Sequence, residues 1–472
     1  MKETSKSAQS DTICSISTPP GMGGIGIVRM SGPHAVSIAA QVFVHPSGGD
    51  LNEGKGYSIR YGQVVDPDTG APVDEVLLTV MRAPKTYTRE DVVEINCHSG
   101  PVILGKILVL LTAQGARLAE PGEFTRRAFL NGRIDLAQAE SVMSLISAKT
   151  DTALRAALRH LGGELTEKIE AIKSRVVHLL SEVEASIDFP DEELDLIAPE
   201  EVFREAEGIM AELTGLIRSL DEGRVMTEGV SAAIVGKANV GKSSLLNRLL
   251  MEDRAIVTPI PGTTRDVIEA TVNINGIPLR ILDTAGIRAS LDPVEQEGIR
   301  RSRETIEKAD LVIMVADVAQ PPNDEDRAIA RLLEGKETIL VLNKQDLLRE
   351  QDGEKWIESS IFKTISPKKH IMASMLRPSG LNDLNKAIYD VVLHGRSGFG
   401  ESLVVTSVRH GRALSAAREA LARVCDSARQ ELSEEFLCVD LRGALFSLGE
   451  ITGETTTDEI LDEIFRSFCV GK

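Results

Sequence analysis

Up to about residue 120, apolar residues come in short runs, 12–17, 25–30, 57–65, 75–81 and 91–97, separated by turn residues. Such runs read as strands, whereas 34–43 and 102–114 have the three- and four-residue spacing of helices. An α+β unit is expected over 1–120. Pro121-Gly122 then makes a turn and the period changes. Leu136, Ala139, Val142, Met143 and Ile146, then Leu154, Ala157, Leu158, Leu161, Leu165, Ile169 and Ile172, trace one buried helical stripe within 135–187, with Gly162-Gly163 as a candidate break. Another helix is expected over 200–223. Between 223 and 395, the runs 230–235, 279–282 and 338–342 read as strands and 244–250 as a helix. After a Gly/Ser linker at 396–402, the stretches 405–432, 433–446 and 455–468 are again helical with one apolar face. The helical stretches on either side of 223–395 most simply bury their stripes against each other. The expected fold is multidomain: an α+β N-terminal domain (1–120), a discontinuous α-helical domain (121–222 and 396–472), and an inserted α/β P-loop domain (223–395).

A length of 472 residues suits about three domains at ~100–200 residues each. The net charge of −18 argues against a broad non-specific grip on nucleic acid, which needs a basic surface. It leaves room for RNA held through a local patch or a partner. Cys14, Cys97, Cys425, Cys438 and Cys469 are widely spaced and form neither a zinc pattern nor a disulfide framework, so a reducing cytoplasm is expected. The polar stretch 1–11 lacks the apolar run of a secretory leader. No run of about 18 apolar residues occurs, so no membrane span is expected.

The chemistry concentrates in 223–395. Gly236-Lys237-Ala238-Asn239-Val240-Gly241-Lys242-Ser243 lies between a strand-like run and a helix that starts near Ser244. This is the P-loop arrangement, in which backbone N–H groups and a helix N-terminus face phosphates. Lys242 is expected on the phosphates and the Ser243 hydroxyl on Mg2+. Thr258-Pro259-Ile260-Pro261-Gly262-Thr263-Thr264 occupies the place of the first switch, with Thr264 a second Mg2+ ligand. Asp283-Thr284-Ala285-Gly286 ends a strand; Asp283 would hold Mg2+ through water and the Gly286 N–H would meet the γ-phosphate. Asn343-Lys344-Gln345-Asp346 follows a buried strand. A carboxylate at Asp346 accepts from guanine N1–H and the 2-amino group, a donor pair that adenine lacks, so the nucleotide is GTP. Ser374-Met375-Leu376 stands where many GTPases carry Ser-Ala-Lys. Ile287 follows the Asp-Thr-Ala-Gly stretch, so the usual water-positioning glutamine is missing. Asp292, Glu295 and Glu297 are carboxylates that could replace it, and the Asn239 carbonyl can ligate a monovalent cation beside the phosphates.

Other features read as plain structure. Gly21-Met22-Gly23-Gly24-Ile25-Gly26 matches the dinucleotide fingerprint in letters, but Pro19-Pro20 precedes it and a strand follows, so a tight turn is expected. The clusters 83–91 and 96–100 read as polar loops, and the acidic run 188–193 as a solvated loop. Cys469 is fourth from the end, yet Gly471 and Lys472 do not suit a prenylation signal. By default such a tail is frayed.

The whole chain resembles the MnmE (TrmE) family of tRNA-modification GTPases. Carrying the likeness are Thr18-Pro19-Pro20-Gly21 with 23–29, Ala83-Pro84 with 87–91, Pro121-Gly122-Glu123-Phe124-Thr125 with 127–131, Asp135-Leu136-Ala137-Gln138-Ala139-Glu140, the nucleotide motifs, and Phe468-Cys469-Val470-Gly471-Lys472. The resemblance implies an N-terminal domain that binds a tetrahydrofolate derivative (5-formyl- or 5,10-methylene-tetrahydrofolate) and makes a homodimer. It further implies a heterotetramer with the FAD-dependent MnmG protein that modifies carbon 5 of the wobble uridine of certain tRNAs. Arg29, Glu94, Arg133 and Lys472 fall at the family's folate contacts, Arg133 where some members have Lys. His98-Ser99-Gly100 departs from the family's His-Gly-Gly. The family's GTP site implies phosphate and switch contacts from Asn239, Val240, Gly241, Lys242, Ser243, Ser244 and 258–264, and base contacts from Asn343, Lys344, Asp346, Ser374, Met375 and Leu376. Asn239, Thr258, Ile260 and Thr263 match its K+ ligands, and Glu295 its water-orienting carboxylate. On the nucleotide motifs alone, a ribosome-assembly GTPase and a folate enzyme with a regulatory GTPase insert remain alternatives. Neither a basic Gly-x-x-Gly module nor a second P-loop, which would favour the former, is found.

Overall fold

The computed structural model describes residues 11–46, 48, 51, 56–188, 197–252, 270–282, 303–348, 356–375, 377–395, 398–400 and 402–472. It resolves into two compact units, Met1–Met143 with Leu161–Glu170 and Leu445–Lys472, and Ser144–His160 with Ala171–Ala444.

The first unit begins with β1 (Ile13–Ile16), β2 (Gly23–Ser31), α1 (Ala35–Val42), β3 (Phe43–Val44), β4 (Tyr57–Val65), β5 (Pro72–Met81), β6 (Val92–Ser99), α2 (Pro101–Ala113) and β7 (Arg117–Leu118). The strands form one sheet in the order β3-β4-β5-β6-β2-β1-β7, antiparallel except for the β1–β7 pair. Alternation along the strands sends Val28, Met30, Leu78, Val80, Val93 and Ile95 into a core shared with Ile38, Leu104, Ile107 and Leu111 of the two helices. The glycines at 23–26 feed strand β2 rather than a helix, as expected. The pairs β3 and β7 were not foreseen, because two residues carry no periodic signal. The β2–β6 register sets Arg29 opposite Glu94.

Five helices follow: α3 (Glu123–Leu130), α4 (Leu136–Ser147), α5 (Asp151–Leu161), α6 (Glu164–Asp188) and α7 (Pro199–Thr227). The stripe read across 135–187 breaks at 148–150 as well as at Gly162-Gly163.

The inserted domain contains β8 (Val230–Val235), α8 (Lys242–Glu252), β9 (Ala270–Ile274), β10 (Ile277–Ile281), β11 (Leu311–Asp317), α9 (Asp324–Leu332), β12 (Thr338–Asn343), α10 (Ser360–Ile365), β13 (Lys369–Met372) and α11 (Pro378–Val392). Its sheet runs β13-β12-β11-β8-β10-β9 and is parallel apart from the β9–β10 hairpin. Apolar cores lie on both of its faces. That is why β8, β11 and β12 are near-continuous apolar runs rather than alternating ones. From β8 the chain builds first toward β10 and then, from the other side, toward β11. The loop after β8 therefore sits where the strand order reverses, the usual ligand crevice of an open α/β sheet.

The chain ends with α12 (Val408–Arg429), α13 (Glu434–Thr452) and α14 (Asp458–Arg466). α12 packs along α7, as the two apolar stripes imply. Cys425 Sγ lies 3.8 Å from Met210 Sδ, and the Arg429 guanidinium is 4.3 Å from the Phe203 ring centroid. The helical segments before and after the P-loop domain thus meet, and that domain is an insertion. In the first unit α14 seats Leu461 and Phe465 against Leu136, Ala139 and Val142 of α4. No helix among the described residues is long and apolar enough to cross a membrane.

Gly223 lies where α7 meets the chain entering α12, and a Cβ there would fall onto the Val405 carbonyl oxygen. Ala normally stabilises a helix interior relative to Gly by ~1 kcal/mol. Here overpacking dominates, so Gly223→Ala should lower stability by about 1–3 kcal/mol in urea unfolding. A gain in stability would contradict this packing.

Candidate functional site

The phosphate loop is shaped by what its residues approach. Gly236 (φ 147°) passes so close to β11 that a Cβ would strike the Val315 carbonyl oxygen. Gly241 (φ 105°) lies against the Asn343 amide, where a Cβ would collide with Nδ2. Both positions demand glycine. Asn239 takes the left-handed conformation (φ 61°), and its side chain is exposed beside the loop. Lys242 opens α8 and donates from Nζ to the carbonyls of Gly236 and Lys237, each at 2.6 Å. Burial lowers the pKa of this ammonium, against the opposing charge of Glu325. A desolvated cation that donates to neutral carbonyls is well prepared to meet phosphate oxygens. Ser243 and Ser244 are exposed in the first turn of α8, where a helix N-terminus favours anions. The Ser243 hydroxyl is a hard oxygen donor of the kind that suits Mg2+.

The base side is joined to this loop by one side chain. Asn343, buried at the end of β12, donates from Nδ2 to the Val240 carbonyl (2.8 Å) and accepts the Met375 N–H on Oδ1 (3.0 Å). It therefore spans the phosphate loop and the 374–375 turn. Lys344 is left-handed (φ 67°), and its Nζ lies 2.7 Å from buried Asp317. Asp346 is exposed in the short 3-10 turn Gln345–Leu347. The hydroxyl of Ser374 beside it holds its carboxyl below the ordinary carboxylate range. An anionic acceptor facing solvent next to the phosphate loop is what a guanine edge requires. Arg248 of α8 donates to the Met375 carbonyl at 2.6 Å and fixes that turn from below.

Thr258, Pro259, Ile260, Pro261, Gly262, Thr263, Thr264, Asp283, Thr284, Ala285, Gly286, Ile287, Asp292, Glu295, Glu297 and Leu376 lie outside the described residues, as does most of the 188–193 acidic run. Among the described residues no cluster of three or more His, Cys, Asp or Glu side chains could hold a metal ion.

A second constellation lies in the first unit. Arg29 Nε donates to Glu94 Oε1 (2.8 Å), and Arg29 Nη1 donates to the Gly471 carbonyl (3.4 Å). The same carbonyl accepts from Ser17 Oγ (3.2 Å). The Arg29 guanidinium lies near two aromatic rings, 5.9 Å from the centroid of Tyr87 and 5.7 Å from that of Phe124. Arg133 stands 4.8 Å from the Tyr87 ring and donates to the Tyr87 carbonyl. Cations within about 6 Å of a ring are attracted by its quadrupole, so Tyr87 gathers the two arginines. Its hydroxyl shares a 2.9 Å hydrogen bond with Thr125 of α3. Phe468 is buried beside Phe465, with ring centroids 5.2 Å apart, and the Gly122 N–H reaches the Cys469 carbonyl. The tail that by default would fray is therefore docked, while Cys469 itself is exposed.

The structure thus brings Arg29, Glu94, Arg133 and the tail before Lys472 into one region of the unit. Sequence reasoning quoted Tyr87 and Phe124 within motifs but gave neither them nor Ser17 a part in this site. An aromatic residue inside the polar 83–91 loop was the available signal. Ser99 donates to the Gly21 carbonyl and ties the glycine turn to the end of β6.

A phosphate loop at the switch point of a parallel sheet, linked through Asn343 to a guanine-type carboxylate, defines a P-loop GTPase. Residues 12–133 match the family model for the GTP-binding protein TrmE N-terminus, and residues 136–469 match that for the MnmE helical domain. The tRNA modification GTPase MnmE of Carboxydothermus hydrogenoformans is 46% identical over 462 residues, 98% of this chain and 99% of that one. That of Natranaerobius thermophilus is 45% identical over 463 residues, again 98% and 99%. A solved structure of Era from Aquifex aeolicus is 25% identical and covers 40% of this chain and 66% of its own, at a TM-score of 0.28, too low to argue from. The chain belongs to the MnmE family of tRNA modification GTPases.

Asp346→Asn puts a group that also donates where a guanine edge, with its two donors, needs an acceptor. GTP affinity should fall by about 10–100-fold, while competition by ATP stays unchanged. Equal GTP affinity in a nucleotide competition titration would refute the base-reading role.

Proposed function

We propose that this GTPase works in the cytoplasm, as a homodimer and in a heterotetramer with the FAD-dependent MnmG protein. Together they install an aminomethyl-type group, such as carboxymethylaminomethyl, at carbon 5 of the wobble uridine of certain tRNAs. The observation that carries this reading is the Gly471 carbonyl on the Arg29 guanidinium. A backbone carbonyl held against a half-buried Arg–Glu pair, with two aromatic rings near the arginine, is costly to build unless it serves a ligand. Arg29, Glu94, Arg133 and Lys472 offer cations and a carboxylate to a ligand that has an amide-rich ring and carboxylates of its own, as a tetrahydrofolate derivative has. When bound, the folate would supply a one-carbon unit that becomes the methylene of the substituent. The partition 1–120, 121–222, 223–395 and 396–472 fits this division of labour, with the GTPase domain as the inserted control element.

In the GTPase domain, Lys242 and the α8 N-terminus bind the β- and γ-phosphates, and Asp346 reads the base. Mg2+ would be held by Ser243 and Thr264, with Asp283 acting through water, and K+ by Asn239, Thr258, Ile260 and Thr263. The exposed Asn239 side chain at a left-handed turn of the loop supports the assignment of the cation. These ions would supply the positive charge that stabilises phosphoryl transfer where other GTPases use an arginine finger. K+-dependent pairing of two GTPase domains would then activate hydrolysis, with Glu295 orienting the attacking water in place of the glutamine that Ile287 lacks. RNA contact by so acidic a chain is shared with its partner.

Arg29→Ala should abolish binding of 5-formyltetrahydrofolate by the isolated chain, and tRNA from cells carrying it should show unmodified wobble uridine by mass analysis. Intact modification with folate binding lost would refute the folate role. Hydrolysis should be faster in K+ than in Na+; equal rates in the two salts would refute the cation assignment. Glu295→Ala should slow turnover while leaving GTP affinity nearly intact, as expected for an interaction made in the transition state. Turnover at the parental rate would remove Glu295 from the mechanism.

A further inference from the structure

One buried ion pair beside the phosphate loop plays no part in reading the base or holding the phosphates. Lys237, the second residue of the loop, is buried, and its Nζ lies 3.1 Å from Oδ2 of Asp326, which is wholly buried. Asp326 is the third helical residue of α9. There its Oδ2 also accepts the Asn323 N–H (3.1 Å), while Asn323 Oδ1 accepts the Asp326 N–H (3.0 Å). This reciprocal capping box fixes the carboxylate rigidly.

Lys237 is therefore pinned to a helix start rather than to a free side chain. The consequence reaches Lys242, because the Lys237 carbonyl is one of the two that accept its Nζ. The same residue carries the anchor in its side chain and a partner of the phosphate-binding lysine in its backbone. Glu325, adjacent to Asp326, also acts on Lys242 by its charge, so the start of α9 faces the loop. Two of the three Lys242 N–H groups go to these carbonyls, so a nucleotide meets the lysine where the loop carbonyls hold it. It then meets either a loop already ordered or one that must be ordered at the cost of affinity.

We propose that Asp326 is a positioning residue of the nucleotide site: through Lys237 it holds the phosphate loop in its binding shape before the nucleotide arrives. The wholly buried Asp326 carboxylate divides its Oδ2 between Lys237 of the loop and the Asn323 N–H of its own helix start.

The test uses the full chain and measures GDP and GTP dissociation constants, kcat at saturating GTP, and nucleotide-free Tm for Asp326→Asn, Lys237→Met and the double variant. Asn retains an acceptor for the Asn323 N–H. Either single change leaves a buried polar or charged group poorly paired and lowers Tm. The double variant removes both charges and regains Tm, because a buried ion pair adds little net stability over neutral neighbours. Its affinity for GDP and GTP should nevertheless remain about tenfold weaker than that of the parent. Its kcat should stay within about twofold, since the loop is ordered once nucleotide is bound. A double variant that recovers Tm and also binds nucleotide with parental affinity would overturn the proposal and make the pair purely structural. Single variants with lowered Tm but unchanged dissociation constants would overturn it equally.

Discussion

The seam between α7 and α12 is the constraint on which the architecture rests. Each helix carries an apolar stripe that must leave water, and the partner for each lies on the far side of the inserted domain. Once the stripes meet, the chain must leave and re-enter the helical scaffold at one place, so the GTPase domain begins and ends there. The cost is intolerance of volume at the crossing: Gly223 lies against the Val405 backbone, and Ser219 Oγ accepts the Val405 N–H at 2.9 Å. His160, buried nearby, is hydrogen-bonded through Nε2 to the Val404 carbonyl. A closely packed seam of this kind transmits strain rather than absorbing it.

Within the inserted domain the same economy recurs at smaller scale. Asn343 answers two backbone groups, one in the phosphate loop and one in the base-reading turn, so the two halves of the nucleotide site share a single buried amide. Lys237 and Asp326 tie the other side of the loop to α9. Buried polar groups of this kind contribute modest net stability, and their value lies in specifying one arrangement among several of similar energy.

The first unit relies on charge in a similar way. Arg127 is buried and meets Asp11, Glu90 and Glu123, while Arg117 meets Asp11 and Glu123. Burial alone would raise the Glu123 carboxyl, but hydrogen bonds from Arg117, the Glu120 N–H and Arg127 hold it below its ordinary value. This network fixes α3 against the loop that carries Tyr87, because Ser31 and Thr88 bond to each other and Ser31 also bonds Glu90. Tyr87 in turn faces Arg29 and Arg133. The proposed folate residues thus rest on a scaffold of paired charges rather than on an apolar floor alone.

Periodicity and glycine placement made the elements and the nucleotide chemistry legible in the chain itself. Strand β8 was readable to the residue because it is an apolar run bounded by the loop glycines, and α7 and α12 because their stripes keep a helical period. The exposed place of Asp346 just after a buried strand was readable from its spacing. The two-residue strands β3 and β7 and the break at 148–150 were not read, since such short pieces carry no period, and neither was β11, an apolar run that unlike β8 has no glycine loop to mark its end. Beyond the elements, pairing in space decided the rest. Asp326 reads as an ordinary acid in a first helical turn, and only tertiary packing turns it inward onto Lys237. Apart from the family resemblance the last five residues read as a loose end, and the apolar face of α14 is what brings Gly471 onto Arg29. Sequence patterns record what each segment must hide from water, whereas a contact between distant side chains depends on where two such segments come to rest, which no local period encodes.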